Sequence, residues 1–411
     1  MGAFFYLPTF YAFGLNPFPY HAFLFVLLAV NVYLTYRLAT LLGSRKLVAA
    51  LAALVMCYHA GLANLYYDTA FIYDVLCFCF YIGALVYYAS IRNRHRTLSG
   101  FETAVFTGLF VCALNSKEMA VTLPVMLVAY EWLYSRPDPK SRIGWKFSFL
   151  RSWRVWLTAG VIDVLYVYGK MFGPNAPTKM PAYRPVFSMA RLLDFQRREL
   201  VNLFFQWKFS GIAPLLVLWV CLSYIALRRR RPVLVFCLLF ILITPLPIEF
   251  LEGRDGGCLA IPLAGWALFA AEVFVSLAAA ISRAVARAPG IPPRGRSQVF
   301  GAVILLGVFF WAAENQYLHS YTVQEVPQIA PATEEVIRQL RQMNPSVRPH
   351  SRVLFLRDPF VDWDMVFIGE LWFHDRTVEV RSNHKTPMSP EEIAKFDYIF
   401  DWVDGRLVRI R

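Results

Sequence analysis

The stretch AFIYDVLCFCFYIGALVYYASIRNRHR, residues Ala70 to Arg96, decides the fold class. From Ala70 to Ile91 the sole charged side chain is Asp74, and the run is long enough to cross the roughly 30 Å hydrocarbon core of a bilayer as one helix. It ends in RNRHR, a basic cluster of the kind that marks the cytoplasmic end of a span. The composition agrees. Of 411 residues, 57% are hydrophobic, 16% aromatic and 17% charged, which would leave a water-soluble globule with far too much apolar surface. The net charge of +13 does not point to nucleic acid, because the basic residues gather in short clusters between apolar runs instead of lining a groove.

Ten apolar runs of span length follow along the chain, at approximately 20–42, 47–66, 70–91, 99–116, 118–134, 154–172, 211–227, 232–250, 258–282 and 299–318. The fourth and fifth are short and are separated by the Asn115-Ser116-Lys117-Glu118 turn. Basic clusters at Arg45 and Lys46, Arg92 to Arg96, Arg136 to Arg154, Arg228 to Arg231 and Arg283 to Arg296 fall in every second loop. Because Lys and Arg accumulate on the cytoplasmic side, both chain ends are expected on the outer side. The opening MGAFFYLPTFYAFGLNPFPYH has neither the basic start nor the cleavage site of a secretory signal. The seven cysteines have no zinc-type spacing and no pairing scheme of a secreted module, and read as packing residues within or beside the apolar runs.

The fold class expected is therefore a polytopic α-helical membrane protein of about ten spans over residues 1–318, with a small soluble α/β domain at 333–411 on the outer side. In that tail, helical patterns at Thr333 to Met343 and near Trp363 to Phe373 alternate with strand-like runs at Arg352 to Leu356 and Thr377 to Val380. A capped helix at Ser389-Pro390-Glu391-Glu392 and a hairpin around Asp404-Gly405 complete it.

Ionisable groups at membrane depth are expensive and so mark function. Lys117 and Glu118 sit between two apolar runs, where the cation can meet a lipid phosphate and the acid can orient a substrate hydroxyl; an ion pair that merely ends two helices is the plain alternative. His59, Asp68 and Asp74 lie on the preceding outer loop among tyrosines. Asp74, about one turn inside a span, must face a hydrated cavity or a partner; Asp68 can be simply solvated, and His59 can be a structural hydrogen-bonding residue. Arg254, in EGRDGG, has the flexible glycine backbone that lets a guanidinium approach a phosphate closely, although a solvated loop arginine has the same sequence. Tyr183 belongs to a long outer segment rich in cations, including Lys170, Lys179, Arg184, Arg191, Arg197 and Arg198, with an amphipathic stretch at 192–209. No metal-ligand spacing is present, and the C-terminal Asp358, Asp362, Asp364 and His374 form no nucleophile arrangement.

The strings FYAFGLNPFPYHAFLFVLLAVNVYLTYRLATLLGS, MCYHAGLANLYYDTAFIYDVLCFCFYIGALVYY and ALNSKEMAVTLPVMLVAYEWLY, in this order, resemble the membrane half of the GT-C glycosyltransferases. The likeness covers roughly residues 4 to 135 and is to bacterial proteins similar to protein O-mannosyltransferases and the aminoarabinose transferase of lipid A. GRDGGCLAIPLAG resembles a Gly-Arg-x-x-Tyr-x-x-x-Pro segment of that family, with Leu259 or Ala260 where a tyrosine is often seen. The resemblance implies transfer of a sugar from a polyprenyl-phosphate carrier to an acceptor on the outer face of the inner membrane. It implies that Lys117 contacts the carrier phosphate, that Glu118 and the His59 segment shape the same cavity, and that Arg254 is a second phosphate ligand. The family's first span, and the first outer loop with its acidic base or metal ligand, would precede Met1; in its absence Asp68 and Glu118 are the candidate catalytic acids. No cofactor is named by the sequence, and the resemblance leaves room for a divalent metal. The expected partners are membrane lipids, the lipid-linked sugar and an unidentified acceptor, not nucleic acid. A lipid or anion transporter or flippase, or a non-catalytic membrane scaffold, are the alternatives; transporters commonly show paired inverted repeats, and no matching halves are visible here.

Overall fold

The structure, a computed structural model, describes all residues except 15, 135–151, 174–175, 180–182, 205–210, 252–255, 286–292, 323–325, 361–362 and 385–386. It divides into two units, Met1–His319 and Ser320–Arg411.

The first unit is helical. α1 (Gly2–Phe13) and α2 (Pro17–Leu41) are joined at Asn16, whose side chain accepts the Phe18 N–H at 3.1 Å while Pro17 opens the helix. α3 (Lys46–Tyr58) breaks at His59 and resumes as a short helical turn and α4 (Asn64–Tyr67). α5 (Ile72–Arg92) carries the Ala70 to Arg96 stretch, and α6 (Gly100–Leu114) begins on a Ser99/Glu102 capping box. A 3-10 turn, Glu118–Thr122, leads into α7 (Leu123–Tyr134). There follow α8 (Trp153–Phe172), α9 (Met189–Phe204), α10 (Ile212–Arg229), α11 (Pro232–Ile243), α12 (Leu246–Glu249), α13 (Ala260–Val285) and α14 (Pro293–Thr322).

Among the described residues, 7 helices are long and apolar enough to cross a membrane, and an eighth span results if the pair Lys46–Tyr58 and Ala60–Tyr67, bent by 52°, counts as one. This is the architecture of a polytopic helical membrane protein. Three of the ten expected runs do not reach span length as single helices, and one of them, 47–66, is that bent pair. α6 has 15 residues, a rise of roughly 22 Å against a core of roughly 30 Å. The 118–134 run is split, because its first turn is a 3-10 helix and α7 has only 12 residues. The opening residues, in which the sequence suggested no element, form α1.

α5 is the centre of this unit. It packs against α2 and α6, while α13 packs against α3 and α11. Polar locks hold the end of α5 that carries the basic cluster. Glu131 of α7, fully buried, accepts from Arg92 Nε at 2.6 Å and Nη2 at 2.9 Å and from the Tyr88 hydroxyl at 2.6 Å. Arg231 and Ser44 similarly converge on buried Glu272 of α13, at 2.5 and 2.8 Å. In contrast, α8, α10 and α14 leave residues such as Val164, Val220 and Phe310 exposed, as lipid-facing helices must.

The second unit is a small α/β layer. α15 (Val326–Met343), α16 (Asp364–Phe373) and α17 (Pro390–Ile393) accompany β1 (Arg352–Phe355), β2 (Glu379–Ser382), β3 (Tyr398–Val403) and β4 (Arg406–Arg409). The strand order is β2-β1-β3-β4; β1 pairs in parallel with β2 and β3, and β3 pairs antiparallel with β4. The Asp404-Gly405 turn takes positive φ at both residues, 47° and 75°, the backbone a two-residue hairpin demands. Ser389 and Glu392 form the capping box of α17. Phe355 and Phe400 stack at the centre of the core, beside Val336 and Leu340 of α15.

Candidate functional site

Three separated parts of the chain meet at the end of α5 opposite Arg92. Asp74 lies in the first turn of α5, where unpaired backbone N–H groups favour a negative charge. Lys117 follows α6 in extended backbone and immediately precedes the 3-10 turn. Cys258 lies in the 3-10 turn Gly256–Leu259 that leads into α13. The Lys117 ammonium donates to Asp74 Oδ1 and, at 3.1 Å, to Cys258 Sγ. Both charged side chains are mostly buried, 13% and 7% exposed. Burial opposes the Lys117 charge, yet the Asp74 carboxylate beside it holds the ammonium above its ordinary value.

Around this pair opens a cleft of about 390 Å³, lined among others by Asn64, Phe71, Tyr73, Glu118 and Tyr183. The volume falls within the range of small-molecule sites, roughly 300–1,000 Å³. The wall is mixed: a fixed cation, a carboxyl group at Glu118, and aromatic faces from Phe71, Tyr73 and Tyr183. Such a combination can hold an anionic group at Lys117 and a polar ring against the aromatics. Gly257 allows the close approach that builds one wall; a Cβ there would lie 2.7 Å from Leu65 Cδ2 and 2.8 Å from Phe71 Cδ1.

Four residues singled out in the sequence, Asp74, Lys117, Glu118 and Tyr183, thus line one cleft. Lys117 pairs with Asp74, which is 43 residues away, and not with its neighbour Glu118. His59 and Asp68 are not in the lining. His59 is buried at the break after α3; its Nδ1 accepts the Gly61 N–H at 3.0 Å, and its Nε2 lies 2.8 Å from the Leu203 carbonyl at the end of α9. Asp68 is exposed and accepts the Ala70 N–H at 2.7 Å, capping the turn before α5. Arg254 lies outside the described residues. Elsewhere in the outer segment, Lys170 sits 5.5 Å from the Tyr166 ring centroid and Arg184 donates to the Thr178 carbonyl at 3.2 Å.

Cys258 is the cleft residue that the sequence reading passed over. A cysteine in an apolar run reads as packing, and its place after Gly256-Gly257 at the mouth of a span was the available signal. Among the described residues, no group of three or more His, Cys, Asp or Glu side chains could hold a metal ion. Asp74 is already engaged by Lys117, so the described residues of the cleft do not fit the divalent metal that the GT-C resemblance allows. No protein-family model matches the chain, and no curated protein matches it.

Proposed function

We propose that the chain is a membrane glycosyltransferase of the GT-C type that moves a sugar from a polyprenyl-phosphate carrier to an acceptor hydroxyl on the outer face of the inner membrane. The observation that carries this reading is the cleft, in which one ammonium, two carboxyl groups and three aromatic side chains converge at the end of the helices away from the basic clusters. Asp74 and Arg92 are separated along α5 by a rise of roughly 27 Å, about one hydrocarbon thickness. With Arg92 at the cytoplasmic end, the cleft opens at the outer end, and the C-terminal unit belongs on that outer side too.

Transfer needs a nucleophilic oxygen, a proton acceptor and stabilisation of the leaving phosphate. In this reading the acceptor hydroxyl attacks the anomeric carbon in line with the departing oxygen, inverting the centre. Glu118 takes the hydroxyl proton as the new C–O bond forms. The bond from the anomeric carbon to the phosphate oxygen breaks, and the charge left on the phosphate meets the Lys117 ammonium. Asp74 fixes that ammonium in place and the aromatic walls hold the sugar ring. Asp68 has no part in this scheme, because its carboxylate caps a turn outside the lining.

One observation favours transport instead: the 52° break at His59, since broken helices often mark transporter sites. Its polar groups are closed by His59, Gly61 and Asn315, whose Oδ1 accepts the Ala60 N–H at 2.9 Å. Glycosyl transfer therefore remains the better reading. The test is binding of polyprenyl monophosphate to the protein in lipid nanodiscs. Lys117→Met should weaken it by about tenfold or more, as expected for loss of a charge-assisted contact, while Glu118→Gln should leave it nearly unchanged. Equal binding by wild type and Lys117→Met would remove the phosphate role.

A further inference from the structure

A second polar cluster lies where α9 meets α10, α12 and α13. Glu199 of α9 is 3% exposed and Glu249, at the end of α12, is 0% exposed. Trp266 Nε1 of α13 donates to Glu199 Oε1 at 3.3 Å. Gln196 Nε2 donates to Glu249 Oε1 at 3.4 Å, and Trp219 Nε1 of α10 donates to Gln196 Oε1 at 3.1 Å. Glu199 lies in the field of Glu249, and Glu249 Oε2 is buried with no hydrogen-bond partner.

Indole and amide donors do not balance two buried negative charges. On the elements packed against the pair, the side chains seen to face it are Trp219 and Trp266; Glu118, on the 3-10 turn beside α12, lines the cleft around Lys117. On α9 itself, Arg198 is paired with Asp194 at 3.2 Å, and Arg197 is two residues from Glu199, on the opposite side of the helix by its spacing. Among the described residues, then, no cation is seen to neutralise the pair. Two carboxyl groups in such a place cannot both ionise at low cost, and the smallest ligand that relieves them is a proton.

We propose that Glu199 and Glu249 form a proton-binding site that latches α9 onto α12 and α13. With one proton bound, a single negative charge is left among the indole and amide donors of the cluster. When the proton leaves to solvent, the two carboxylates repel across the α9 contact. Burial pushes the Glu199 carboxyl up to about 8. Its docked value therefore lies above the ordinary glutamate value of about 4.3, so the latch is fully closed below the latter and loosens as pH rises through the interval up to about 8. Above that interval both states are ionised and the dependence ends. The latch bears on the cleft through the chain before α9, which contributes Tyr183 to the lining and whose Val186 N–H donates to the Phe250 carbonyl at 2.9 Å.

The experiment is hydrogen exchange of the α9 amides, residues 189–204, in the full chain in nanodiscs between pH 5 and pH 9, for wild type and for the Glu199→Gln/Glu249→Gln double variant. Dividing one profile by the other removes the intrinsic pH dependence of exchange. Wild-type protection relative to the variant should fall with pH, at a limiting slope of about tenfold per unit, and level off above about pH 8. A constant ratio would overturn the proposal. Infrared titration of the wild type is a check that needs no folded variant: the carbonyl band of a buried protonated carboxyl should be present at pH 6 and lost above pH 8. Its absence at pH 6 would equally overturn the proposal.

Discussion

Neutralising Lys117 by Lys117→Met leaves Asp74 buried without its partner; neutralising Asp74 by Asp74→Asn leaves the ammonium against an amide and Cys258. With side chains only 13% and 7% exposed, the pair belongs to the class in which losing one partner costs about 3–5 kcal/mol. Because the cleft admits water on one side, the lower end of that range, about 3 kcal/mol for each single variant, is expected. The double variant removes both charges together and should cost about 2 kcal/mol less than the sum of the singles. Equilibrium unfolding in mixed micelles of rising SDS content, followed by tryptophan fluorescence, measures all four corners of this cycle. Single-variant costs that add within about 0.5 kcal/mol would show that the two side chains do not interact, and the geometry of the cleft would be wrong.

Two further outcomes follow from the polar locks. Glu131→Gln should destabilise the helical unit by about 3 kcal/mol or more, because it leaves Arg92 unpaired, whereas Tyr88→Phe should cost only about 1–2 kcal/mol; similar costs for both would contradict the bidentate geometry. In the C-terminal unit, the Arg357 guanidinium holds the Asp401 carboxyl below its ordinary value, and Arg352 and Arg381 hold Glu379 down despite its partial burial. Since the folded values lie below the unfolded ones of about 4, this stabilisation is complete at neutral pH and is lost as pH falls through the depressed folded values. Exchange protection of β3 should therefore drop on acidification, and Asp401→Asn should lower it already at pH 6 and flatten the acid response; a variant indistinguishable from wild type at pH 6 would refute the role of this pair.

The spans and the small α/β unit were legible because their signals are local. An apolar run with one charge announces a membrane helix, and Asp404-Gly405 announces a hairpin, before any tertiary contact is known. Asp74 stood out for the same reason, as a carboxylate placed where polarity is expensive. Its partner was not legible: Lys117 is 43 residues away and adjacent to Glu118, so the only ion pair the local sequence offered was with the neighbouring acid. Length alone separated α6 and α7 from the other spans, since their shortness was visible, but the 3-10 turn at Glu118–Thr122 was not. Glu199 shows the opposite failure. α9 reads as a polar interfacial helix, yet Glu199 shares a face with Phe195, Leu200 and Leu203, all buried, and that spacing was the signal available.

The activity proposed for the cleft is transfer of a glycosyl group from a lipid phosphate. The direct measurement is release of polyprenyl phosphate from polyprenyl-phosphate sugars in proteoliposomes that also contain a hydroxyl acceptor, with product identified by mass spectrometry. Acceptor-dependent release by the wild type and a fall of about 100-fold or more in Glu118→Gln, with donor binding preserved, are expected. Release that is unchanged in Glu118→Gln, or lipid movement between leaflets with no glycosyl product, would contradict the proposed activity.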